Sequence, residues 1–199
     1  MWSRLIVAGA TAVVAVGMTT TAGTATATPT LNGFTDGSFE NVTATTGSFD
    51  RYFAPATIGV WTVTQGSVDL IGAGFWESAD GDQSLDLDGA FHPGGVAQTF
   101  GTVPLLKHRV TYYLAGNLAS GPVIKTGQVL VNGNVLQNFS FDITGKNFTN
   151  MGYVKKHTYF FATSPHTTLE FRSTTGSGYG PVIDAVDVDS CLLIICHDH

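Results

Sequence analysis

Residues 128–142 read QVLVNGNVLQNFSFD, and this stretch decides the predicted fold. Apolar and polar residues alternate on both sides of the turn signal Asn132-Gly133-Asn134. Alternation with period two places every second side chain on one face of a half-buried strand, whereas a helix needs apolar residues three and four apart. Asn-Gly pairs favour tight turns. The stretch therefore predicts two short strands joined by a turn.

The same pattern of short alternating runs recurs along the chain. Such runs begin at Val60, Ser84, Val96, Val110, Gln128, Phe139, His157, Thr168 and Val182. Glycine-rich turn signals separate them, and no stretch keeps a helical apolar period over about eleven residues. About nine short strands predict an all-β fold, a single antiparallel β-sandwich over residues 28–189.

The N-terminus has the composition of a secretory signal peptide. Arg4 supplies a positive charge, residues 5–18 are apolar, and Ala25-Thr26-Ala27 fits the small-residue cleavage rule. The apolar run is shorter than the roughly 20 residues that span a bilayer. We therefore expect residues 1–27 to be removed and the mature chain to be secreted, with no membrane-spanning segment.

The charge balance excludes one class of partner. The 199-residue chain carries 9 basic and 15 acidic residues, for a net charge of −6. Contacts to nucleic-acid phosphates need clustered Lys and Arg side chains, which this acidic chain lacks. We expect no nucleic-acid partner.

Both cysteines lie in the C-terminal tail, residues 190–199, which reads SCLLIICHDH. Outside the cytoplasm two neighbouring thiols oxidise to each other, so we predict a Cys191–Cys196 disulfide that closes a short loop. The alternative is a metal clip that adds His197 and His199, but the spacing matches no common zinc pattern.

Residues 80–89 read DGDQSLDLDG and contain four aspartates. An EF-hand loop needs a carboxylate at its twelfth position, which falls on Gly95 when the loop begins at Ser84. A glycosidase needs carboxylates on opposite sides of the scissile bond, but Asp86 and Asp88 point the same way from one strand. The pattern favours a strand whose leucines face the core and whose aspartates lie on a wet face. A concave wet face would contribute to sugar binding, whereas a convex one would only keep the protein soluble.

Trp61 and Trp76 are predicted to have different roles. Trp61 lies in the alternating run of residues 60–63 and is predicted to belong to the core. Trp76 follows a glycine-rich segment in a loop context, where its ring can stack on the apolar face of a sugar. The alternative is that Trp76 covers the edge of the core. No nucleophile, base and orienting group are arranged as in a known catalytic motif.

Several motifs, taken in order, resemble one family. They occupy residues 32–40 (NGFTDGSFE), 58–71 (IGVWTVTQGSVDLI), 79–89, 93–100, 114–117, 150–153 and 180–186. Over about residues 32–188 the chain is similar to the bacterial choice-of-anchor C family, which is related to the DUF642 proteins of plant cell walls. The resemblance implies a galactose-binding-like jelly roll, export, and association with cell-wall polysaccharide.

The resemblance also implies a structural calcium ion. The matching positions are Glu40 and Asp184, with Ser38 or Asp36 nearby. Calcium takes six to eight oxygen ligands, and backbone carbonyls can complete such a set. The alternative is that these carboxylates bind only backbone N–H groups.

Together these observations predict a secreted, non-catalytic module that binds polysaccharide or another cell-surface glycan. Trp76 is predicted to stack on a sugar ring. Four polar side chains are predicted to bind sugar hydroxyls: Asp86, Asp88, Gln98 and Asn117. The alternatives are an extracellular structural or adhesion domain that mediates protein contacts, and a glycan hydrolase that uses Asp86.

Overall fold

The computed structural model describes residues 33–90, 92–191 and 196, and these residues form twelve β-strands. The strands are β1 (Phe49–Phe53), β2 (Thr57–Ile58), β3 (Trp61–Gln65), β4 (Ser67–Ile71), β5 (Ser84–Asp86), β6 (Gly95–Gly101), β7 (Lys107–Gly116), β8 (Ile124–Val131), β9 (Asn134–Asp142), β10 (Val154–Phe161), β11 (His166–Ser173) and β12 (Pro181–Cys191). Within this part of the chain no helix is long and apolar enough to cross a bilayer. The predicted signal peptide and both tail histidines lie outside the described residues.

The strands form two antiparallel sheets of six strands each. The front sheet has the order β1-β4-β5-β12-β7-β10, and the back sheet has the order β2-β3-β6-β11-β8-β9. Strands that follow one another in the chain often lie in different sheets, as in a jelly roll. The predicted all-β sandwich is confirmed.

Residues 128–142 belong to the hairpin of β8 and β9. Val131 pairs with Asn134, so the turn consists of Asn132 and Gly133. Both turn residues have positive φ, 49° and 78° respectively. Asn and Gly adopt this conformation most readily, and its twist matches that of the flanking strands.

The core lies between the two sheets. Tyr112 of β7 packs edge-on against Phe171 of β11, with ring centroids 5.1 Å apart, so this face of the front sheet points inward. Trp61 is fully buried, and its Nε1–H donates to the backbone oxygen of Asp36 at 2.8 Å. The prediction that Trp61 belongs to the core is confirmed.

Strands β1, β2 and β4 were not among the alternating runs. All five residues of β4 are buried, because both faces of this strand are covered, although its sequence SVDLI alternates between polar and apolar residues through Leu70. At the other end of the chain, β12 continues to Cys191, which pairs with Lys107. The structure joins Cys191 to Cys196 by a disulfide bond.

Candidate functional site

A row of charged residues crosses the outer face of the front sheet. Leu70 of β4 lies directly opposite Leu85 of β5, and both are buried in the core. Side chains alternate along a strand, so Asp69 and Asp86 point to the other face. Arg51 of β1 lies directly opposite Asp69, and Asp69 lies directly opposite Asp86.

Arg51 and Asp69 form a two-pronged ion pair. The guanidinium Nε and Nη2 donate to the two Asp69 carboxylate oxygens at 2.7 Å and 2.8 Å. Burial raises the pKa of Asp69, although the Arg51 hydrogen bonds oppose that effect. The planar fork fixes both groups, so their remaining hydrogen-bonding positions are held in place before any ligand arrives.

A cleft of about 240 Å³ opens over this ion pair. We call it the Arg51 cleft, and its principal lining residues are Phe49, Arg51, Asp69, Phe75, Asn117 and Tyr179. Phe49 and Tyr179 are exposed by 39% and 38%, which is unusual for large aromatic rings that serve only the core. The Arg51 guanidinium lies 5.3 Å from the centre of the Phe49 ring.

The floor of the cleft depends on a glycine. A Cβ atom at Gly89 would lie 2.9 Å from Oδ1 of Asp69 and 3.1 Å from Nε of Arg51. Real Cβ atoms rarely come this close to their neighbours, so a side chain at this position would displace the ion pair. Gly89 therefore allows the backbone to pass directly beneath the Arg51–Asp69 pair.

Asp86 anchors two cleft segments from below. Its Oδ1 accepts the backbone N–H groups of Asp88 at 2.9 Å and Gly180 at 3.1 Å, and its Oδ2 accepts Nδ2 of Asn117 at 2.6 Å. The side chain is fully buried, and this burial raises its pKa to about 8. Asp86 thus positions Asn117 and the loop that carries Tyr179.

Lys125 holds the same loop from the other side. Its buried Nζ donates to the backbone oxygens of Ser120 and Tyr179, both at 2.8 Å. Burial lowers the pKa of Lys125, while the nearby carboxyls of Asp86 and Asp88 oppose that effect. Burial also raises the pKa of Asp88 to about 6. The Tyr179 loop is therefore supported by buried polar contacts.

The expectation that Asp86 and Asp88 lie on a wet face is wrong, since both residues have 0% exposure. The loop at Gly180 and the side chain of Asn117 cover this part of β5. Asp86 supports the cleft from beneath, and Asp88 lies near Lys125. Neither side chain reaches the surface where a sugar would bind.

Trp76 also differs from its expected placement. Only 6% of the residue is exposed, and its Nε1–H donates to the Ser84 hydroxyl at 2.9 Å. Its ring packs against Phe75 and Phe148, with centroids 5.1 Å and 6.0 Å away. The expectation of an exposed stacking ring is wrong. Trp76 covers the edge of the core, and the preceding Phe75 lines the cleft.

The other two polar candidates are separated by the fold. Gln98 lies on β6 in the back sheet, where Oε1 accepts the N–H of Thr35 at 3.1 Å and Nε2 donates to the Thr35 oxygen at 2.8 Å. It secures the N-terminal segment and does not line the cleft. Asn117 is the predicted sugar-binding residue that the structure places in the cleft wall.

The predicted calcium ligands are engaged with a neighbouring loop. Glu40 Oε1 accepts the backbone N–H groups of Asp82 and Gln83, each at 2.8 Å. The Ser38 hydroxyl donates to Oδ2 of Asp80 at 2.6 Å. These contacts attach residues 78–83 to the N-terminal segment.

Asp184 holds the same loop from the sheet. Its Oδ2 accepts the N–H groups of Ala79 and Asp80 at 2.7 Å and 3.1 Å, and burial raises its pKa to about 7. Among the described residues, no group of three or more His, Cys, Asp or Glu side chains is placed to hold a metal. The geometry of these carboxylates agrees with the alternative of backbone N–H binding. The calcium prediction itself is untested.

The sequence pattern did not single out Phe49, Arg51, Asp69 or Tyr179. Two signals were present, however. The run FDRYF places Phe49 and Arg51 two residues apart, hence on one face of a strand. Tyr179 is the aromatic residue in the glycine-rich segment GSGYG at 176–180, where a large ring has few neighbours to pack against.

The protein is a jelly-roll β-sandwich with a cleft on its front sheet that is built partly by loops. The family model described as "Protein of unknown function (DUF642)" matches residues 32–189. The chain therefore belongs to the DUF642 family. The DUF642 part of the resemblance is confirmed, while the choice-of-anchor C part stays a prediction. A search of curated proteins finds no match.

Solved structures with similar chain tracing include three carbohydrate-binding modules. A family 35 module from Clostridium thermocellum is 14% identical, covering 71% of this chain and 97% of its own, with a TM-score of 0.45. The CBM22-1 xylan-binding domain of Paenibacillus barcinonensis Xyn10C is 15% identical, covering 77% and 99%, with a TM-score of 0.47. TmCBM61 in complex with β-1,4-galactotriose is 11% identical, covering 79% and 97%, with a TM-score of 0.48. These similarities are distant, and the fold assignment rests on the two sheets described above.

Proposed function

We propose that this protein is an extracellular, non-catalytic module that binds a neutral polysaccharide in the Arg51 cleft. The observation that carries the proposal is the combination of exposed aromatic rings with a fixed ion pair in one recess. The predicted signal peptide and the Cys191–Cys196 disulfide support an extracellular location, because disulfides persist in oxidising compartments.

The aromatic rings supply the apolar part of the site. A sugar ring has an apolar C–H face, which loses contact with water when it stacks on Phe49 or Tyr179. The two rings belong to different segments, β1 and the loop before β12, and both line the cleft. The cleft volume of about 240 Å³ is below the roughly 300–1,000 Å³ of typical small-molecule pockets. It suits part of a longer chain that continues outside.

The polar groups supply the orientation. Sugar hydroxyls both donate and accept hydrogen bonds, so a site needs both kinds of partner. Arg51 and Asn117 offer donors, while the Asp69 carboxylate oxygens accept. Because Arg51 and Asp69 bind each other in a fixed geometry, little side-chain entropy is lost when a sugar binds.

The charge of the cleft favours a neutral sugar. The positive charge of Arg51 is compensated by Asp69 at 2.7 Å. Burial raises the pKa of Asp86, the neighbour of Asp69 across the sheet, to about 8, which lowers the negative charge that it carries at neutral pH. A uronic acid would have to compete with Asp69 for the guanidinium, and its carboxylate would lie near a second carboxylate.

The same contacts support the absence of catalysis. A glycosidase needs a carboxylic acid and a carboxylate that face one bond. Both oxygens of Asp69 accept hydrogen bonds from Arg51, and Asp86 has no exposed surface. In the described part of the chain, the cleft therefore offers no pair of free carboxyl groups.

Native electrophoresis through gels that contain soluble polysaccharides tests the proposal. We expect arabinoxylan, β-1,4-galactan, mixed-linkage β-glucan or galactomannan to retard the mature protein, and polygalacturonate not to. Tyr179→Ala should weaken the retarded interaction about tenfold, equivalent to about 1.4 kcal/mol. Phe53→Ala is the matched control, because Phe53 is a 58% exposed ring on β1 that does not line the cleft.

Two results would contradict the proposal. If none of the polysaccharides retards the protein, glycan binding is wrong, and an extracellular protein-interaction domain becomes the better description. If wild type and Tyr179→Ala are retarded equally, a glycan binds elsewhere and the Arg51 cleft is not the site. Release of reducing sugar from any of these polymers would contradict the absence of catalysis.

A further inference from the structure

The front sheet carries a second ion pair between directly opposite residues of adjacent strands. Arg109 of β7 lies directly opposite Asp189 of β12, and its Nη2 donates to the Asp189 carboxylate at 2.8 Å. Arg51 and Asp69 are likewise directly opposite residues on adjacent antiparallel strands. Tyr112 of β7 faces the core, and side chains alternate between the two faces along a strand. Arg109 lies three residues before Tyr112 and therefore points to the outer face, so both pairs lie on that face.

An aromatic ring lies beside this second pair as well. Tyr113 is half-buried and lines two adjoining recesses on the outer face, of about 310 Å³ and about 180 Å³. We call this surface the Tyr113 groove, and its principal residues are Arg109, Tyr113, Asn150, Lys155, Asp187 and Asp189. It repeats the combination of an aromatic ring with a fixed Arg–Asp pair.

The groove has both signs of charge. Arg109 and Lys155 are cations, while Glu77, Asp187 and Asp189 carry carboxyl groups, so groups of both signs lie side by side. A polyanion would meet three carboxyl groups, and a polycation would meet two cations. A neutral chain with many hydroxyl groups finds donors and acceptors side by side, next to a ring on which to stack.

The two sites are too far apart for one small sugar. In the strand order β1-β4-β5-β12-β7, Tyr113 lies three to four strand spacings from the Arg51–Asp69 pair. With strands about 4.8 Å apart, the separation is roughly 15–20 Å. The segment of residues 75–79 lies between them, because Phe75 lines the cleft while Glu77, Ser78 and Ala79 line the groove.

We propose that the Tyr113 groove is a second glycan subsite, so that the natural ligand is a long neutral chain that occupies the cleft and the groove together. This inference rests on the proposed function and specifies its ligand. Two linked contacts on one chain raise the overall affinity well above that of either contact alone. A short oligosaccharide occupies only one of them at a time.

Isothermal titration of the mature chain tests the second subsite. The probes are the polysaccharide that retards the protein most among the four neutral ones, and the trisaccharide of the same repeating unit. Wild type should bind two trisaccharides per chain, and Tyr113→Ala should bind one. Affinity for the polymer should fall by about tenfold or more in Tyr113→Ala, because the linked second contact is lost.

The control variants distinguish the loss of the Tyr113 ring from a loss of folding. Tyr113→Phe keeps the ring and should keep two sites, while Phe161→Ala removes another exposed ring of the same sheet, 61% exposed and outside the groove, and should change nothing. Should Tyr113→Ala lower the melting midpoint strongly, the rim variants Lys155→Ala and Asp187→Ala report on the same groove. A single trisaccharide site in wild type that Tyr113→Ala leaves unchanged would overturn the second subsite while leaving the cleft intact. No binding of any polymer would overturn both proposals.

Discussion

At the scale of single residues, the cleft depends on residues that hold its ion pair and its loop in place. Gly89 lets the backbone pass beneath the Arg51–Asp69 pair, and Asp86 holds Asn117 and Gly180 in place. Such residues fix the positions of the groups that do face the cleft. Substitution of these residues should therefore weaken polysaccharide binding while the fold is kept.

Gly89→Ala should weaken polysaccharide binding about tenfold or more, because the new Cβ would lie 2.9 Å from Oδ1 of Asp69 and displace the ion pair. Gly33→Ala is the control, since its Cβ would meet only ordinary contact at 3.6 Å. Gel retardation and melting midpoints measure both variants. Unchanged retardation of Gly89→Ala would show that the ion pair does not contribute to the site.

Trp76→Ala should lower the free energy of unfolding by about 3–5 kcal/mol, because a buried aromatic ring and its hydrogen bond to Ser84 are lost together. Trp76→Phe should cost less, as most of the packing against Phe75 and Phe148 remains. Urea unfolding followed by circular dichroism gives both values. A Trp76→Ala variant of wild-type stability that has lost glycan binding would restore Trp76 as a contact residue.

At the scale of elements, the loop of residues 78–83 is attached to two different parts of the sandwich. Glu40 binds it from the N-terminal segment, and Asp184 binds it from β12. Both carboxylates accept hydrogen bonds from backbone N–H groups of the loop. The loop therefore has a means of attachment that requires no metal.

The melting midpoint in millimolar calcium should equal the midpoint in excess chelator, because the predicted ligands Glu40 and Asp184 already accept backbone hydrogen bonds. Differential scanning fluorimetry measures the two midpoints, with magnesium as the control ion. A rise of several degrees with calcium alone would show that the loop rearranges around an ion.

At the scale of the whole molecule, three buried aspartates make the front sheet sensitive to pH. Burial raises the pKa of Asp88 to about 6, of Asp184 to about 7 and of Asp86 to about 8. In the unfolded chain each carboxyl has a pKa near 3.9. At a pH between the unfolded pKa and the folded pKa, each of these carboxyl groups is protonated in the folded state and ionised in the unfolded state. The associated stability is complete below about pH 4 and is lost as the pH rises through the folded values.

The thermal midpoint should accordingly fall by roughly 10 °C or more between about pH 5 and about pH 9. Asp86→Asn should flatten the upper part of this profile, because its amide does not titrate. Calorimetry at constant ionic strength records the profile for both proteins. A midpoint that rises from pH 5 to pH 9 would mean that these carboxyls are ionised in the folded state.

The fold was predictable because its signals are local. Alternation within runs such as residues 128–131 and the Asn132-Gly133 turn depend only on neighbouring residues, and the hairpin of β8 and β9 follows from them. Strand β4 was missed although Ser67 to Leu70 alternate between polar and apolar residues, and the structure buries all five of its residues because both faces are covered. The wet face assigned to Asp86 was wrong for a related reason: a loop far along the chain covers it.

The sequence by itself determined the sandwich class, the membership of Trp61 in the core and one cleft residue, Asn117. Only the tertiary structure decided the site. Asp69 contacts Arg51 because β1 and β4 pair. Tyr179 lines the same cleft because β12, which follows its loop, lies beside β5. Period-two alternation reports which side of a strand faces the core, since that is a property of consecutive residues. Which strands become neighbours depends on the packing of the whole chain, and so do the residues that meet across them.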